Sequence, residues 1–238
     1  MRRLALLALL LVPGEASAGG ARILLSGVAL PEVLRFEETR SFTEYAETGS
    51  LQASYRKRAG FGGELGLEYD FTPHLGLRGS LSYVRRTGSA SYAARLPHPL
   101  YLDRHRLASG EAGGLDQREA MGNLDLVLIL GDGAFRVSLL GGVAFFRVDA
   151  TLLADVQKRE SYPYDDVEIT GVTSRRLTDT PIGYAGGLGL DWRLGRRFGL
   201  GLQARYARAR VRLGVSEGDT VVFDAGGLQA AFGVRLWF

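Results

Sequence analysis

Residues 228–238, LQAAFGVRLWF, decide the fold. Counting back in twos from Phe238 to Leu228 gives an unbroken apolar row, whereas the other parity includes Arg235 and Gln229. Successive side chains of a β-strand point to opposite faces, so one face suits lipid and the other suits a polar interior. The span also matches the roughly 9–11 residues that a tilted strand needs to cross a bilayer. The stretch therefore predicts a membrane-spanning β-strand.

The first 18 residues have the organisation of a cleaved secretory signal peptide. Arg2 and Arg3 precede an apolar run from Leu4 to Val12, and 16–18 form an Ala-x-Ala cleavage site. This run is too short for a transmembrane helix of about 20 residues, and no other uninterrupted apolar stretch is as long. We therefore predict export, removal of residues 1–18, and a single domain over residues 19–238.

The composition excludes several classes of site but does not reveal the fold. The chain has no cysteine, so disulfides and thiolate metal sites are excluded. A net charge of +3 and a pI near 9.3 do not indicate nucleic-acid binding. With 46% hydrophobic residues and a mean hydropathy of +0.01, the chain looks like a soluble domain. Transmembrane β-barrels have a similar mean hydropathy, because lipid-facing and lumen-facing residues alternate along each strand. The periodicity of the sequence therefore has to distinguish the two classes of protein.

The same alternation recurs along the chain and predicts eight strands separated by alternately short and long connections. An even number puts both termini at the periplasmic end. Pro31 leaves the facing of the first strand open, and ten strands remain an alternative count. The predicted strands are Arg22–Phe36, Phe61–Phe71, Leu75–Tyr83, Leu124–Leu130, Phe135–Phe145, Tyr184–Leu194, Phe198–Tyr206 and Leu228–Phe238.

These strands predict an all-β fold: an eight-stranded antiparallel up-and-down transmembrane β-barrel. Its short periplasmic turns lie near Pro73, Asp132 and Arg196. Long extracellular loops are the rule at the other end of such barrels. The long connections are residues 38–55, 88–118, 154–178 and 214–224. A soluble lipocalin-like barrel or β-sandwich is the alternative, but it would bury the apolar row and expose the charged one.

Aromatic residues fall at two heights, as the two interfaces of a bilayer favour. The predicted periplasmic girdle contains Tyr69, Phe71, Phe135, Trp192, Phe198 and Phe238, and the outer girdle contains Tyr83, Phe145, Tyr184 and Tyr206. The two girdles support the membrane barrel over its soluble alternative.

The cleavage site, the eight alternating segments and the ending Leu236-Trp237-Phe238 resemble the OmpA/OmpX/OmpW-like superfamily of small bacterial outer-membrane β-barrels. The resemblance covers the barrel domain only, with no peptidoglycan-binding domain. It implies an integral protein of the cell outer membrane, surrounded by lipid and lipopolysaccharide and assembled by the barrel-assembly machinery. The implied assembly signal is Phe232, Val234, Leu236 and Phe238. Roles in envelope integrity, adhesion, or passage of small or hydrophobic molecules follow as expectations.

The inward parity carries five acids and five bases. An eight-stranded barrel is just wide enough for side chains to fill it, and buried charges persist when paired. We therefore predict a charge-plugged lumen with a cross-strand pair of Glu68 and Arg78 around the Pro73 turn. A narrow diffusion channel gated by the same network is the alternative. The predicted network is Glu64, Glu68, Asp70, Arg78, Asp125, Arg136, Asp191, Arg193, Arg205 and Arg235.

The outer rim provides the remaining binding hypotheses. Arg208, Arg210 and Arg212 share the outward parity above the outer girdle and suit lipopolysaccharide phosphates, although a solvated rim explains them as well. Recognition of an unknown extracellular ligand is a second hypothesis, based on the loop tyrosines. A conduit for hydrophobic molecules would need an apolar lumen that opens laterally. Its only hint is the row Leu140, Phe146 and Val148; the loop tyrosines are Tyr45, Tyr92, Tyr101, Tyr162 and Tyr164.

Catalytic and metal sites receive little support. His74 lies in a turn, and His98 and His105 lie in the second long loop near Asp103 and Ser109, where solvation is the ordinary state of a loop histidine. A lipid A-modifying enzyme is a remote alternative, since no spacing indicates a nucleophile and its base. A hydrophilic loop explains the acidic cluster better than Ca²⁺ binding does; that cluster is Asp165, Asp166 and Glu168. We predict no catalytic residue, no cofactor and no metal.

Overall fold

A computed structural model describes residues 20–131, 133–216 and 219–238. The predicted signal peptide and the turn residue Asp132 lie outside the described residues. Within these ranges, no helix is long and apolar enough to cross a membrane. The strands are β1 (Ala21–Leu30), β2 (Leu34–Glu44), β3 (Glu47–Lys57), β4 (Gly60–Asp70), β5 (Leu75–Arg86), β6 (Gly88–Pro97), β7 (His105–Ala112), β8 (Gln117–Leu130), β9 (Phe135–Glu160), β10 (Val167–Asp179), β11 (Ile182–Arg193), β12 (Phe198–Ser216) and β13 (Asp219–Trp237).

Eight of these strands form a closed antiparallel ring, which confirms the predicted barrel. Around the ring the order is β1, β4, β5, β8, β9, β11, β12 and β13. The ring closes where Ile23 of β1 pairs with Leu236 of β13. Closure leaves no sheet edge within the membrane, where an unpaired backbone group would be costly.

Side-chain facing follows the predicted parity. Along β5, exposed and buried residues alternate without a break, and the outward residues from Leu75 to Tyr83 carry no charge. Leu67 and Leu81 are 63% and 68% exposed, which is the reverse of what a water-soluble barrel does with its leucines. The exposed row is therefore the lipid-facing surface.

The first strand is shorter than predicted. It ends at Leu30, and the chain resumes as β2 at Leu34, which leaves the ring and pairs with β3. Pro31 explains the break because proline has no N–H to donate to a ladder and a fixed φ. The structure also shows how the side chains of this strand are oriented, which the sequence left open. Arg22 and Leu24 point inward, and Leu25 points outward.

The long extracellular connections continue as β-hairpins. Strands β2, β3, β6 and β7 form a separate four-stranded sheet. Strands β9 and β12 have 26 and 19 residues, well beyond the 9–11 needed to cross a bilayer, and each continues into a hairpin partner. We call this part of the molecule above the outer girdle the extracellular extension.

The interior has two zones along the barrel axis. The zone at membrane height holds buried charged side chains, and the zone inside the extension is a large apolar core built from both sheets. Ring strands and extension hairpins both contribute to this core, from Ala144 and Ala207 to Phe36 and Tyr92. The extension is therefore a packed continuation of the barrel.

Candidate functional site

Glu68 is the centre of the charged zone. Its carboxylate accepts hydrogen bonds from Arg22, from Arg78 Nε at 2.6 Å and from Arg136 Nη2 at 2.6 Å. Glu68 and Arg78 are direct cross-strand partners, as predicted, whereas Arg22 and Arg136 arrive from β1 and β9. One carboxylate thus holds together four strands of the ring.

Asp70 and Asp191 extend this cluster around the lumen. Arg136 donates to Asp70 Oδ1 at 2.8 Å. Asp191 accepts from Arg22 Nη1 at 2.7 Å and from Arg235 Nε at 2.9 Å. Charge-assisted bonds of this kind are about twice as strong as neutral ones. Here they link β4 to β9, and β11 to β1 and β13.

A second group of charges lies one layer further along the barrel. Arg205 donates to Glu64 Oε2 at 2.8 Å and to Asp125 Oδ2 at 3.3 Å. Arg78 Nη1 donates to Gln203 Oε1 at 2.7 Å, which ties this layer to the Glu68 cluster. These side chains are buried, so the pairing compensates charges that have left water.

Arg193 is the member of the predicted network that the structure places elsewhere. Its side chain is exposed at the periplasmic mouth, and its guanidinium lies 5.1 Å from the centre of the Trp237 ring. Arg193 does lie on the inward side of its strand, as predicted. However, it is the last residue of β11, where the lumen opens to the periplasm. Arg22 takes its place, so five carboxylates still meet five guanidinium groups.

Sequence reasoning missed a third group of buried charges, which consists of Arg86 and Glu119. Arg86 Nε lies 3.3 Å from a Glu119 carboxylate oxygen. The same guanidinium donates to the carbonyls of Glu32 at 2.7 Å and Gly226 at 2.9 Å. Alternate residues of a strand share one face, so Arg86 lies on the same inward face as Arg78, and Glu119 lies on the same inward face as Asp125. The alternation in the sequence could therefore have identified this pair.

Aromatic side chains fill the interior of the extension. Phe36 stacks on Tyr55 and on Phe223, with ring centres 4.6 and 4.7 Å apart. The Tyr55 hydroxyl donates to Glu38 at 2.9 Å and accepts from the Leu153 N–H at 3.0 Å. Burial, reinforced by the Glu38 charge, raises the pKa of Tyr55, so the phenol stays neutral.

The apolar interior is larger than the sequence indicated. Leu140, Phe146 and Val148 are all buried, as their parity suggested. Phe146 and Val148 belong to a cluster that reaches well into the extension, whereas Leu140 packs separately with Val127 and Ile129. The interior above the charges is thus apolar, but it is occupied by side chains.

A cavity of about 510 Å³ opens near the top of the extension. Apolar side chains from the four-stranded sheet and from β9 line it, together with charged groups of both signs. Lys158 at its rim lies 3.2 Å from Glu160 and also pairs with Glu44. Its lining includes Arg40, Phe42, Glu44, Leu51, Ala94, Leu96, Asp155, Val156 and Lys158.

Two expectations about the loops were wrong. Tyr92 is buried in the apolar core, because β6 carries it into the packed sheet. His98 is only 2% exposed; its Nδ1 accepts the Leu100 N–H at 3.1 Å, and its Nε2 lies 3.7 Å from Asp165. Burial between two loops replaces the solvated state expected for His98.

The remaining loop residues lie at the surface. Tyr45, Tyr101 and Tyr162 are exposed, and Tyr164 is half-buried. Asp165 pairs with Arg104 at 2.8 Å, so it joins the second and third loops. Asp166 and Glu168 are exposed, as are Asp103 and Ser109, while His105 is half-buried.

Arg208, Arg210 and Arg212 point outward above the membrane, as predicted. Arg208 forms an ion pair with Asp224, which raises its pKa through that hydrogen bond and charge. The backbone N–H of Arg212 donates to Asp179 at 2.8 Å. Acidic side chains thus accompany this arginine row.

Several solved structures are similar to this chain. OprG of Pseudomonas aeruginosa matches with a TM-score of 0.57 at 13% identity, over 93% of this chain and 96% of that one. Neisserial surface protein A gives 0.48 at 12% identity, over 92% and 97%. Ail of Yersinia pestis gives 0.41 at 13% identity, over 93% and 100%.

Among sequences, no curated protein matches the chain. A family model does: the outer membrane protein beta-barrel domain matches residues 4–235. That match agrees with the closed ring and its lipid-facing surface. The chain therefore belongs to the outer membrane protein beta-barrel domain family and is an integral protein of the outer membrane.

Proposed function

We propose that this protein is a closed barrel with a charge-plugged lumen, and that it acts in envelope structure or surface interaction through its extracellular extension. The observation that supports this most directly is the Glu68 cluster, which joins β1, β4, β5 and β9 across the lumen. A selective pore would more often carry a ring of one sign. Here carboxylates and guanidinium groups alternate and neutralise one another.

The extension supplies a second closure above the charges. The stack of Phe36, Tyr55 and Phe223 occupies its centre. Arg40 reaches across from β2 and donates to the Ala154 carbonyl of β9 at 2.9 Å. A solute that passed the charged zone would still have to displace this core, whose side chains are packed and hydrogen-bonded.

Recognition then falls to the surface of the extension. The cavity of about 510 Å³ offers a concave, mixed apolar and charged lining, which is the kind of site that binds a ligand with an apolar body and polar groups. We infer that an extracellular ligand binds there, and that the exposed Tyr45 and Tyr162 add contact surface. Lipopolysaccharide contacts at Arg208, Arg210 and Arg212 stay a prediction.

The role that we propose is non-enzymatic and needs no cofactor or metal. His98 is one of the two loop histidines that were considered as catalytic groups. Its two ring nitrogens face the Leu100 amide and Asp165, and its ring lies 4.9 Å from that of Tyr101. These contacts suit a residue that joins the second loop to the third.

Single-channel conductance of refolded residues 19–238 in a planar bilayer tests the proposal. The wild-type chain should be silent, and the double variant Glu68→Ala, Arg78→Ala should show current steps because it empties the middle of the plug. The matched control is Arg208→Ala, Asp224→Ala, which removes an ion pair from the outer surface and should stay silent. Sustained steps from the wild-type chain would overturn the proposal.

A conduit for hydrophobic molecules is the second candidate, favoured by the apolar interior of the extension. Above Ala29 the pairing of β1 with β13 stops, so the wall has a seam between β13 and the residues around Glu32. Arg86 closes this seam from inside by donating to the carbonyls of Glu32 and Gly226. Uptake of a hydrophobic solute by vesicles containing Arg86→Ala but not the wild-type chain would show a latent route.

A further inference from the structure

The lipid-facing surface has a depression below its extracellular end. It lies across β1, β4, β5, β8 and β9 and has a volume of about 730 Å³. The outward-facing residues at its floor are small: Gly63, Ala120 and Gly122. A side chain on Gly63 would point into open space, with its nearest neighbour, the Ser26 carbonyl, 3.7 Å away. The floor is therefore formed by small residues, and large apolar side chains stand beside it.

Apolar side chains form the walls of this depression, which we call the outer groove. Leu65 and Leu81 form one wall, and Phe145 stands opposite. All three are more than half exposed; Leu65 and Leu81 lie below the outer girdle, and Phe145 belongs to it. A groove with these walls has the shape and chemistry to hold an acyl chain.

Three arginines lie at the upper end of the outer groove. Arg147 is part of its lining and is directly paired across the strands with Ala120. Arg85 and Arg118 are cross-strand partners one row higher. The side chains of Arg85 and Arg147 are 54% and 65% exposed. At the height of the outer girdle, these guanidinium groups lie level with the phosphates of the surrounding lipids.

The cluster retains positive charge after its local ion pairs are counted. Arg85 pairs with Asp116, and Arg147 approaches Asp149 at 3.8 Å. The Nε of Arg118 is buried, and its hydrogen-bonding capacity is not used by another side chain in the described part of the chain. The surroundings of Arg208 differ, because Asp224 pairs with that arginine and the cavity beside it is lined by further charged groups, among them Glu32 and Arg86.

We propose that the outer groove and these three arginines bind one molecule of a phosphorylated glycolipid of the lipid A type from the outer leaflet. Adjacent strands lie about 4.8 Å apart, so arginines on three neighbouring strands cover about 10 Å. That width suits a headgroup with two phosphates better than a phospholipid with one. Arg binds phosphate through its planar fork, and the groove takes an acyl chain.

Native mass spectrometry of the refolded chain in detergent, titrated with bisphosphorylated lipid A, tests this site. The double variant Arg118→Gln, Arg147→Gln should bind about tenfold more weakly, since it removes charge-assisted bonds to phosphate. The matched control Arg196→Gln, Arg197→Gln removes the same charge from the periplasmic end of the barrel, where both residues are exposed, and should change binding by less than about twofold. Equal losses in both double variants would overturn the proposal, because binding would then follow net charge alone.

A second variant tests the groove independently of charge. Gly63→Leu fills the floor without a clash at Cβ, and it too should weaken lipid A binding by about tenfold, a loss typical of a blocked contact. Phosphatidylglycerol serves as a probe with a single phosphate. Unchanged lipid A affinity in Gly63→Leu, or equally tight phosphatidylglycerol binding by the wild-type chain, would overturn the proposal. Heat-modifiable migration on a gel verifies that every variant is folded.

Discussion

Glu68 is the residue on which the charged zone depends most, because three guanidinium groups share its carboxylate. We expect Glu68→Gln to lower the free energy of unfolding by about 3–5 kcal/mol, the cost of leaving buried charges without their partner. Denaturant unfolding of the refolded chain from detergent micelles measures this. Glu64→Gln is the matched control, since Glu64 binds Arg205 alone and Arg205 keeps Asp125. Equal losses in the two variants would contradict a central role for Glu68.

Lys57 gives the extension a pH dependence. Burial lowers its pKa to about 8, against a smaller opposing effect of Asp116, and its Nζ donates to the Leu115 carbonyl at 2.7 Å. Between pH 8 and 10.5 the unfolded state binds more protons than the folded state, so stability rises with pH in that window.

The rise due to Lys57 should be about 2 kcal/mol between pH 7.5 and 10. Free energies of unfolding measured across this range, for the wild-type chain and for Lys57→Met, isolate its contribution because all other titrations are common to both. Parallel curves for the two proteins would show that Lys57 is not the group responsible.

For individual residues, the alternation in the sequence predicted which way most side chains point, but it did not predict which of them form contacts. Glu68 and Arg78 could be paired in advance because a short turn joins their strands. The contacts of Glu68 with Arg22 and Arg136 depend on how the ring closes, which a local pattern does not contain. Arg193 was misplaced because parity continues past the point where the lumen ends.

Strand β5 shows how one element serves two surfaces. Arg85 and Arg86 are sequence neighbours, yet Arg85 points outward above the outer groove and Arg86 is buried against Glu119. Through its contacts with the Glu32 and Gly226 carbonyls, Arg86 holds the seam where β1 stops pairing with β13. Gly226 has a φ of +94°, and a Cβ there would meet the Ala207 carbonyl at 2.2 Å, so the seam also requires glycine.

Neighbouring substitutions in β5 should therefore differ sharply. Arg86→Met leaves the Glu119 carboxylate uncompensated and should cost about 3–5 kcal/mol, with faster hydrogen exchange around Gly226. Arg85→Met removes an exposed ion pair and should cost less than about 1 kcal/mol in detergent. Denaturant unfolding and exchange mass spectrometry measure both effects. A small loss in Arg86→Met would mean that Arg86 does not hold the seam.

The elements of the ring could be predicted because each has one apolar and one polar face with period two. The extension could not, since its hairpins bury an apolar face inside and present polar side chains outside, the reverse of the membrane strands. Alternation is equally regular in both regions, as the pattern of β6 shows. Pro31 marks the change between them, and it was visible in the sequence only as an interruption.

The whole molecule combines two ways of filling a barrel. At membrane height, lipid takes the outer apolar face and charges fill the lumen. In the extension, water takes the outer face and apolar side chains fill the interior. Two phenylalanines of β13 illustrate this difference. Phe223, in the extension, is buried against Phe36, whereas Phe232, at membrane height, is 59% exposed on the lipid face.

Alanine at these two positions should separate folding stability from assembly. Phe223→Ala opens a cavity in the extension and should cost about 3–5 kcal/mol in denaturant unfolding. Phe232→Ala leaves no interior cavity and should change that free energy little, but it removes one residue of the proposed assembly signal. The amount of heat-modifiable protein in isolated outer membranes should therefore fall more for Phe232→Ala than its stability in detergent explains. If membrane levels of both variants simply follow their stabilities, the ending of β13 acts only as a strand, and the assembly signal lies elsewhere.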